Sequence, residues 1–572
     1  RLYVTNLKGI GAGPGPNGQA EPFSGSRTQG TVSAIDVPSD PASSQLTTWT
    51  NTVVENNNWG SLFANTGVGP CQGAPADSPL CLASVDANYR SQLHAIFIVK
   101  ENKTFDQYFG DIAPLVPNAD ADPTWLLYGM PVTTNQHLLA QRYTISDHFW
   151  ADSEQSTTGH KWTSAGYATE HDEITWNTEY DQGLRGDRSD GQYDGQLTGP
   201  KDQNIADQEG AIDRPTSRLV DSTEGAGLST RVYSDDVNPG SKVLANGDRV
   251  PQEAWGIGPS NSNHGRDLDF PDSDRANIFL HGSTTSHEWS LDKTGAPPST
   301  YGTTIALCGA PQADPKTCSG GASVPDGSTP YQHFSLDAWT AAYNACNPNH
   351  DPALDAGCQK AMPQYLYVAL PVDHTLGFNP QSPTPASMVA DNDYSVGKII
   401  DALSHSPFWS NTVVFITEDD TQASGDHVDS HRTFLLTAGG LAHHATAGSP
   451  TGSASHQQGS FPSVLKTVEV LLGVPQLTIY DTAAQPLDSV LVAHASDAAG
   501  TPSYTAVASP TAFFVLDGSL PPTNPPGTTL AQLSALMDWR LDRTSPQLVR
   551  DVLYAGIRGW PLPSRDLALL NR

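Results

Sequence analysis

Three short apolar runs constrain this chain more than any other feature: AIFIV at 95–99, YLYVALP at 365–371 and VVFIT at 413–417. Each is continuously apolar rather than alternating, the pattern of a strand buried on both faces of a parallel sheet. Helix-like segments lie between and after them. TTNQHLLAQR (133–142) leads into a fourth strand, YTISDHFW, and TPASMVADNDYSVGKIIDALSHS (384–406) leads into VVFIT. HRTFLLTAG (431–439) reads as a further strand and FPSVLKTVEVLLG (461–473) as a helix behind it. This alternation predicts an α/β fold, a central and mostly parallel β-sheet flanked by helices on both faces. Ligands in such sheets sit beyond the carboxyl ends of the strands.

Between about 185 and 358 the composition shifts to Gly, Asp, Ser, Asn and Pro, which predicts a long loop-rich insertion over the core. The expected organisation is an N-terminal strand and Gly/Pro linker (1–30), an α/β domain (31–490), and a C-terminal extension (491–572) whose two amphipathic helices pack on the outside. The six cysteines fall into three close pairs, and local closure gives Cys71–Cys81, Cys308–Cys318 and Cys346–Cys358. Stapled loops of this kind point to an oxidising, extracytoplasmic compartment: secreted, periplasmic or cell-surface. With neither an initiating Met nor a signal pattern at Arg1, the sequence reads as a processed or trimmed chain. No run approaches the roughly 18 apolar residues of a membrane span. A formal charge of -31, from 61 acids against 30 bases, argues against a nucleic-acid partner, which would need a basic footprint. The same excess of acids is suited to holding cations.

The strand ends carry the chemistry. AIFIV runs into Lys100-Glu101-Asn102, YVALP into Val372-Asp373-His374, and VVFIT into Glu418-Asp419-Asp420, with His427 and His431 shortly after. Each acidic turn alone has a plain reading as a solvated cap. Their shared position after buried strands favours oxygen and imidazole ligands converging on one rim, a hard-to-borderline cation site. Ser156-Thr157-Thr158-Gly159-His160 supplies hydroxyls and an imidazole with no GxSxG-type hydrolase context. It opens no obvious long helix, so Gly159 is expected to permit a sharp turn exposing a hydroxyl. A serine hydroxyl is a poor nucleophile until a base or metal takes up its proton.

VKENKTFDQYFG, SDHFWADSEQSTTGHKW, LPVDHTLG, EDDTQASGDHVDSHR and SVLKTVEVLLG together resemble the alkaline-phosphatase superfamily. The likeness is nearer to its phosphoesterase branch of bacterial acid phosphatases and phospholipases C. It is closest to a subgroup in which the phosphoesterase follows a YncE-like β-propeller, whose end Arg1–Gly9 would resemble. The resemblance implies an alkaline-phosphatase-like fold and a secreted hydrolase of phosphate esters working through a phospho-enzyme. The nucleophile would be Ser156, or Thr157 if the register moves by one. It also implies one or two divalent metals (Ca, Mn, Fe or Zn): Glu101 or Asn102, Ser156, Asp419 and Asp420 at one site, and Asp373, His374 and His431 at another. His160 would contact a phosphoryl oxygen, and His374, His427 and His431 are the candidates for proton donation. A non-catalytic secreted binding protein that kept the fold is the alternative.

Overall fold

The computed structural model describes residues 1–10, 29–40, 42–56, 75–154, 156–168, 219, 222–223, 226–233, 336–379, 383–422, 425–445, 452–510, 523–537 and 546–571. An eight-stranded mixed sheet organises it. Its strands are β3 (His94–Lys100), β4 (Thr144–Trp150), β5 (Thr230–Tyr233), β6 (Tyr365–Leu370), β7 (Thr412–Glu418), β8 (Arg432–Ala438), β9 (Ser453–Ser455) and β10 (Gly459–Ser460). The order across the sheet is β10-β4-β8-β7-β3-β6-β5, and β9 also pairs with β4. All run parallel except β8, which is antiparallel to both β7 and β4. Because β8 starts where β7 ends, the described residues of the 419–431 connection lie on the carboxyl rim.

Residues alternate along β3 between two cores. Ile96 and Ile98 face one that includes Leu139, Val396, Ile399 and Val552, whereas Ala95, Phe97 and Val99 face one with Trp162, Val464 and Val468. Helices Thr134–Arg142, Pro385–Ser404 and Pro546–Arg558 therefore cover the first face, and Ser156–Ala165 and Phe461–Leu472 the second. Burying each such aliphatic or aromatic side chain contributes about 1.5–3 kcal/mol, which explains why the apolar runs are unbroken. The Phe461–Leu472 helix stops at Gly473, whose φ of 70° suits the left-handed cap.

Three features depart from the sequence reading, and the Cys346–Cys358 pairing agrees with it. The N-terminal strand β1 (Leu2–Ile10) is not followed by linker alone; it pairs antiparallel with β2 (Gln29–Ile35) in a separate two-stranded sheet. The 185–358 stretch is not only loop, since β5 extends the sheet beside β6 and helices occupy Leu336–Cys346 and Pro352–Cys358. The Cys346–Cys358 disulfide joins the ends of those two helices. Short strands β9 and β10 were hidden in a Gly/Ser-rich stretch. Cys81 is disulfide-bonded, but Cys71, Cys308 and Cys318 lie outside the described residues. No helix among the described residues is long and apolar enough to cross a membrane.

Candidate active site

The ends of β3, β6 and β7, three adjacent strands, meet at one point on the rim. Lys100, the last residue of β3, is fully buried and bonds Asp373 Oδ2 (2.7 Å) and Glu418 Oε1 (2.6 Å). Burial alone would lower this ammonium, but the two carboxylates hold it above its ordinary value. Asp373 is used up by protein donors. It also accepts from the Tyr108 hydroxyl (2.9 Å), the Glu101 N–H (3.0 Å) and the Asn392 amide (3.2 Å). The structure thus places Asp373 as the anchor for Glu101 rather than facing a cation.

One layer further out, Asn102 adopts a left-handed backbone (φ 73°), which Asn tolerates better than most residues. Its N–H reaches Asp419 Oδ1 (3.3 Å), and its side-chain oxygen turns to Ser156. Ser156 is buried, with its hydroxyl oxygen 3.0 Å from Asp420 Oδ2 and 3.2 Å from Asn102 Oδ1. Both are acceptors, so the hydroxyl proton is held against one of them. His160, one turn on, points Nε2 at Asp419 Oδ2 (3.0 Å) and Glu101 Oε1 (3.3 Å). His374 donates from Nδ1 to the Thr375 carbonyl (3.0 Å) and turns Nε2 toward Glu101 Oε2 (4.0 Å) and the Gln422 amide (3.5 Å).

Gly159 has a reason different from the one its neighbours suggest. Ser156–Ala165 is a regular helix that starts at Ser156, so no sharp turn at Gly159 presents the hydroxyl. A Cβ at Gly159 would stand 2.3 Å from the Asp419 carbonyl oxygen. Glycine lets the helix lie directly on the Asp419-Asp420 backbone and brings Ser156 to Asp420. Gly159→Ala is expected to lower kcat/KM by about a hundredfold, the effect of roughly 1 Å of misplacement. This should happen even though alanine favours a helix by about 1 kcal/mol. Steady-state kinetics beside thermal melting will separate the two effects.

The rim thus brings together Glu101, Asn102, Ser156, His160, Asp419 and Asp420, with His374 alongside. Thr157 follows Ser156 in the helix, and its side chain lies outside the described residues. His427 and His431 are placed elsewhere. The His427 ring bonds Asp106 (2.6 Å) and Asp120 (3.1 Å), and that of His431 bonds Asp429 (2.7 Å) and Glu154 (2.7 Å). Both ring nitrogens of His431 stand against carboxylates, as do those of His427, which also lies with Asp106 and Asp426 in a group whose ligand atoms fall within 4.8 Å of one another. Hydrogen bonding to Asp106, opposed by burial, pushes His427 up to about 9; in His431 burial is outweighed by Asp429 and Glu154, again reaching about 9. Their folded values exceed the usual 6.5, so this stabilisation is full below about pH 6.5 and is lost as pH rises through about 9. Urea midpoints should fall across that window, and His427→Gln should flatten the decline.

Glu101, His160 and Asp419 each offer a ligand atom within 4.8 Å of the others. Burial first, then repulsion from Asp420 and Glu101, drives the Asp419 carboxyl well above its ordinary range. Mutually repelling buried carboxylates are what a divalent cation relieves, so the residues present fit one. Two carboxylates and an imidazole, with the Asn102 amide and Asp420 adjacent, are a hard-to-borderline donor set. Sequence reasoning missed Lys100, Tyr108, Asn392 and Gln422. Of these only Lys100 left a signal, as a lysine closing an apolar strand.

No family model matches the sequence, and no curated protein matches it. Among solved structures, a protein in the alkaline phosphatase superfamily from Vibrio parahaemolyticus is similar at 13% identity, over 70% of this chain and 70% of that one, with a TM-score of 0.31. A sulfatase from Pseudoalteromonas sp. is 9% identical over 74% and 76% of the two chains (TM-score 0.34). A phosphonate monoester hydrolase from Silicibacter pomeroyi is 12% identical over 69% and 76% (TM-score 0.29). Likeness this loose decides nothing about chemistry, which rests on the rim side chains. The solved structures to which this chain is similar include members of the alkaline phosphatase superfamily.

Proposed function

We propose that the chain is a metal-dependent hydrolase of phosphate esters in which Ser156 is the nucleophile. The observation that carries this reading is the Ser156 hydroxyl 3.0 Å from Asp420 Oδ2, beside the buried Glu101–His160–Asp419 cluster. A divalent cation held by Asp419, Glu101 and His160, with Asp420 and Asn102 at its side, would lower the proton affinity of the serine and draw charge off the phosphoryl oxygens. Asp420 takes up the direction of the serine proton, and Asn102 fixes the oxygen in place. Ser156 is the first residue of a ten-residue helix, so a phosphoryl group on its oxygen sits where backbone N–H groups favour an anion. His374, anchored through Nδ1, is positioned to exchange a proton from Nε2. An extracytoplasmic setting is supported by the Cys346–Cys358 disulfide and by the bonded state of Cys81.

The deciding assay uses the chain stripped with a chelator and resupplied with Mn²⁺, Zn²⁺, Ca²⁺ or Fe²⁺. An aryl phosphate, a choline phosphodiester and an aryl sulfate are offered in parallel. Metal-restored cleavage of the aryl phosphate makes it a monoesterase, and of the choline diester a phospholipase C-like enzyme. Cleavage of the sulfate alone overturns the proposal. So does no turnover with any metal, which would leave a binding protein that kept the fold.

A further inference from the structure

A second cluster of ligating side chains stands where β4 meets β9. The β4–β8 ladder is regular from Thr144 to Ser146 and resumes out of step at Phe149, so Asp147 and His148 occupy an irregularity of the bulge type. Bulges re-aim side chains and bend the strand that carries them. On the other edge of β4, Ser146 is in register with Ser455, which places the next residue, His456, beside Asp147. Two imidazoles then converge on a single carboxylate oxygen. Asp147 Oδ1 lies 2.9 Å from His148 Nδ1 and 2.8 Å from His456 Nδ1. The two rings meet edge to face at 5.4 Å. The Asp147 side chain is fully buried, whereas those of His148 and His456 are 39% and 49% exposed.

We propose that Asp147, His148 and His456 form a divalent transition-metal site, made of other residues than the Glu101–His160–Asp419 cluster, with solvent completing the coordination. One ligand atom from each lies within 4.8 Å of the other two. A tetrahedral Zn²⁺ with bonds of about 2.0–2.2 Å sets its nitrogen and oxygen ligands about 3.3 Å apart. The two Asp147–imidazole separations need to widen by only about 0.5 Å, which two half-exposed imidazoles can do by small ring rotations. On binding, each neutral ring moves its proton from Nδ1 to Nε2, leaving the Nδ1 lone pair for the metal; His456 thereby gives up the 3.5 Å contact of Nε2 with the Asn118 amide nitrogen. The second Asp147 oxygen accepts the Asp120 N–H (2.7 Å), an outer bond of the kind that orients a ligating carboxylate. Arg432 donates to the Asp147 carbonyl, but its charge is balanced by Asp106 and Asp426. Two imidazoles and one carboxylate select Zn²⁺, Co²⁺, Ni²⁺ or Cu²⁺ over Ca²⁺ or Mg²⁺. The bound ion would fasten the end of the three-residue strand β9 to β4.

The site stands independently of the hydrolase reading, and its test reads metal binding. The full chain and a His148→Ala/His456→Ala variant are titrated with Zn²⁺ by calorimetry, and with Cu²⁺ followed by electron paramagnetic resonance. Wild type is expected to bind one more Zn²⁺ than the double variant and to show a Cu²⁺ signal split by two imidazole nitrogens, absent in the variant. His456→Ala alone should weaken the site by more than about a hundredfold, since even outer-shell losses cost 10–100-fold. Circular dichroism of the metal-free proteins should coincide, because both histidines are half-exposed. Equal Zn²⁺ stoichiometry, identical Cu²⁺ spectra, or binding confined to millimolar metal overturns the proposal.

Discussion

Ser156→Ala is expected to lower turnover by on the order of 10⁴-fold or more, the scale of losing a nucleophile that works as part of a unit. Metal content should stay essentially unchanged. The reason lies in the division of labour at the rim. The Glu101, His160 and Asp419 ligand atoms cluster without Ser156, whereas Ser156 meets the site through Asp420 and Asn102. Removing one oxygen therefore removes the attacking group and leaves the charged cluster in place. Elemental analysis beside single-turnover kinetics is the measurement. If Thr157→Ala is dead and Ser156→Ala is active, the nucleophile is one residue further on.

The second large effect belongs to Lys100. Its ammonium, Asp373 and Glu418 are all fully buried, and among the described residues it is the one that bonds both carboxylates. Lys100→Met strands two buried acids, and breaking a buried ion pair from one side costs about 3–5 kcal/mol. Burial and the neighbouring Asp373 already push Glu418 up to about 8 despite the lysine, so Glu418 will take up a proton once the lysine is gone. Denaturant midpoints of Lys100→Met should fall accordingly. The triple variant Lys100→Met/Asp373→Asn/Glu418→Gln should recover most of the loss, since neutral replacements need no counter-charge. Turnover should not recover with it, because Asp373 Oδ1 holds both the Glu101 N–H (3.0 Å) and the Asn392 amide (3.2 Å), and a neutral carboxamide oxygen accepts more weakly than a carboxylate. Recovery of both would mean that Asp373 does not position the site.

How much of this could be read in advance follows from which forces leave a pattern. AIFIV, YLYVAL and VVFIT announced β3, β6 and β7 because strands buried on both faces need unbroken apolar runs. The parallel order and the rim followed from the helices between them. β5, β9 and β10 left no trace, being two to four residues long and held by neighbours rather than by their own composition. The same holds for the side chains. Ser156, His160, Glu101, Asn102, Asp419 and Asp420 could be grouped because each follows a strand or starts a helix at one end of the sheet. Whether Asp373 would face a metal or a lysine depended on Lys100 folding inward, which spacing does not encode. His427 and His431 looked like ligands by residue type, but each had two carboxylates waiting that only the tertiary fold brings near. Gly159 was legible as necessary and misread in purpose, since its requirement is a carbonyl of a segment some 260 residues away.

The central place of β3 has a consequence for how the polypeptide becomes a protein at all. Its two neighbours begin pairing at Tyr365 and Thr412, so the contacts Lys100 makes with Asp373 and Glu418 span 273 and 318 positions of sequence. A nascent chain emerging from the ribosome carries AIFIV without either partner until Tyr365, 270 positions beyond Ala95, has been synthesised. Such high contact order makes folding slow and leaves a sticky segment unsatisfied meanwhile. Until β6 and β7 arrive, AIFIV is a segment that a chaperone would need to cover.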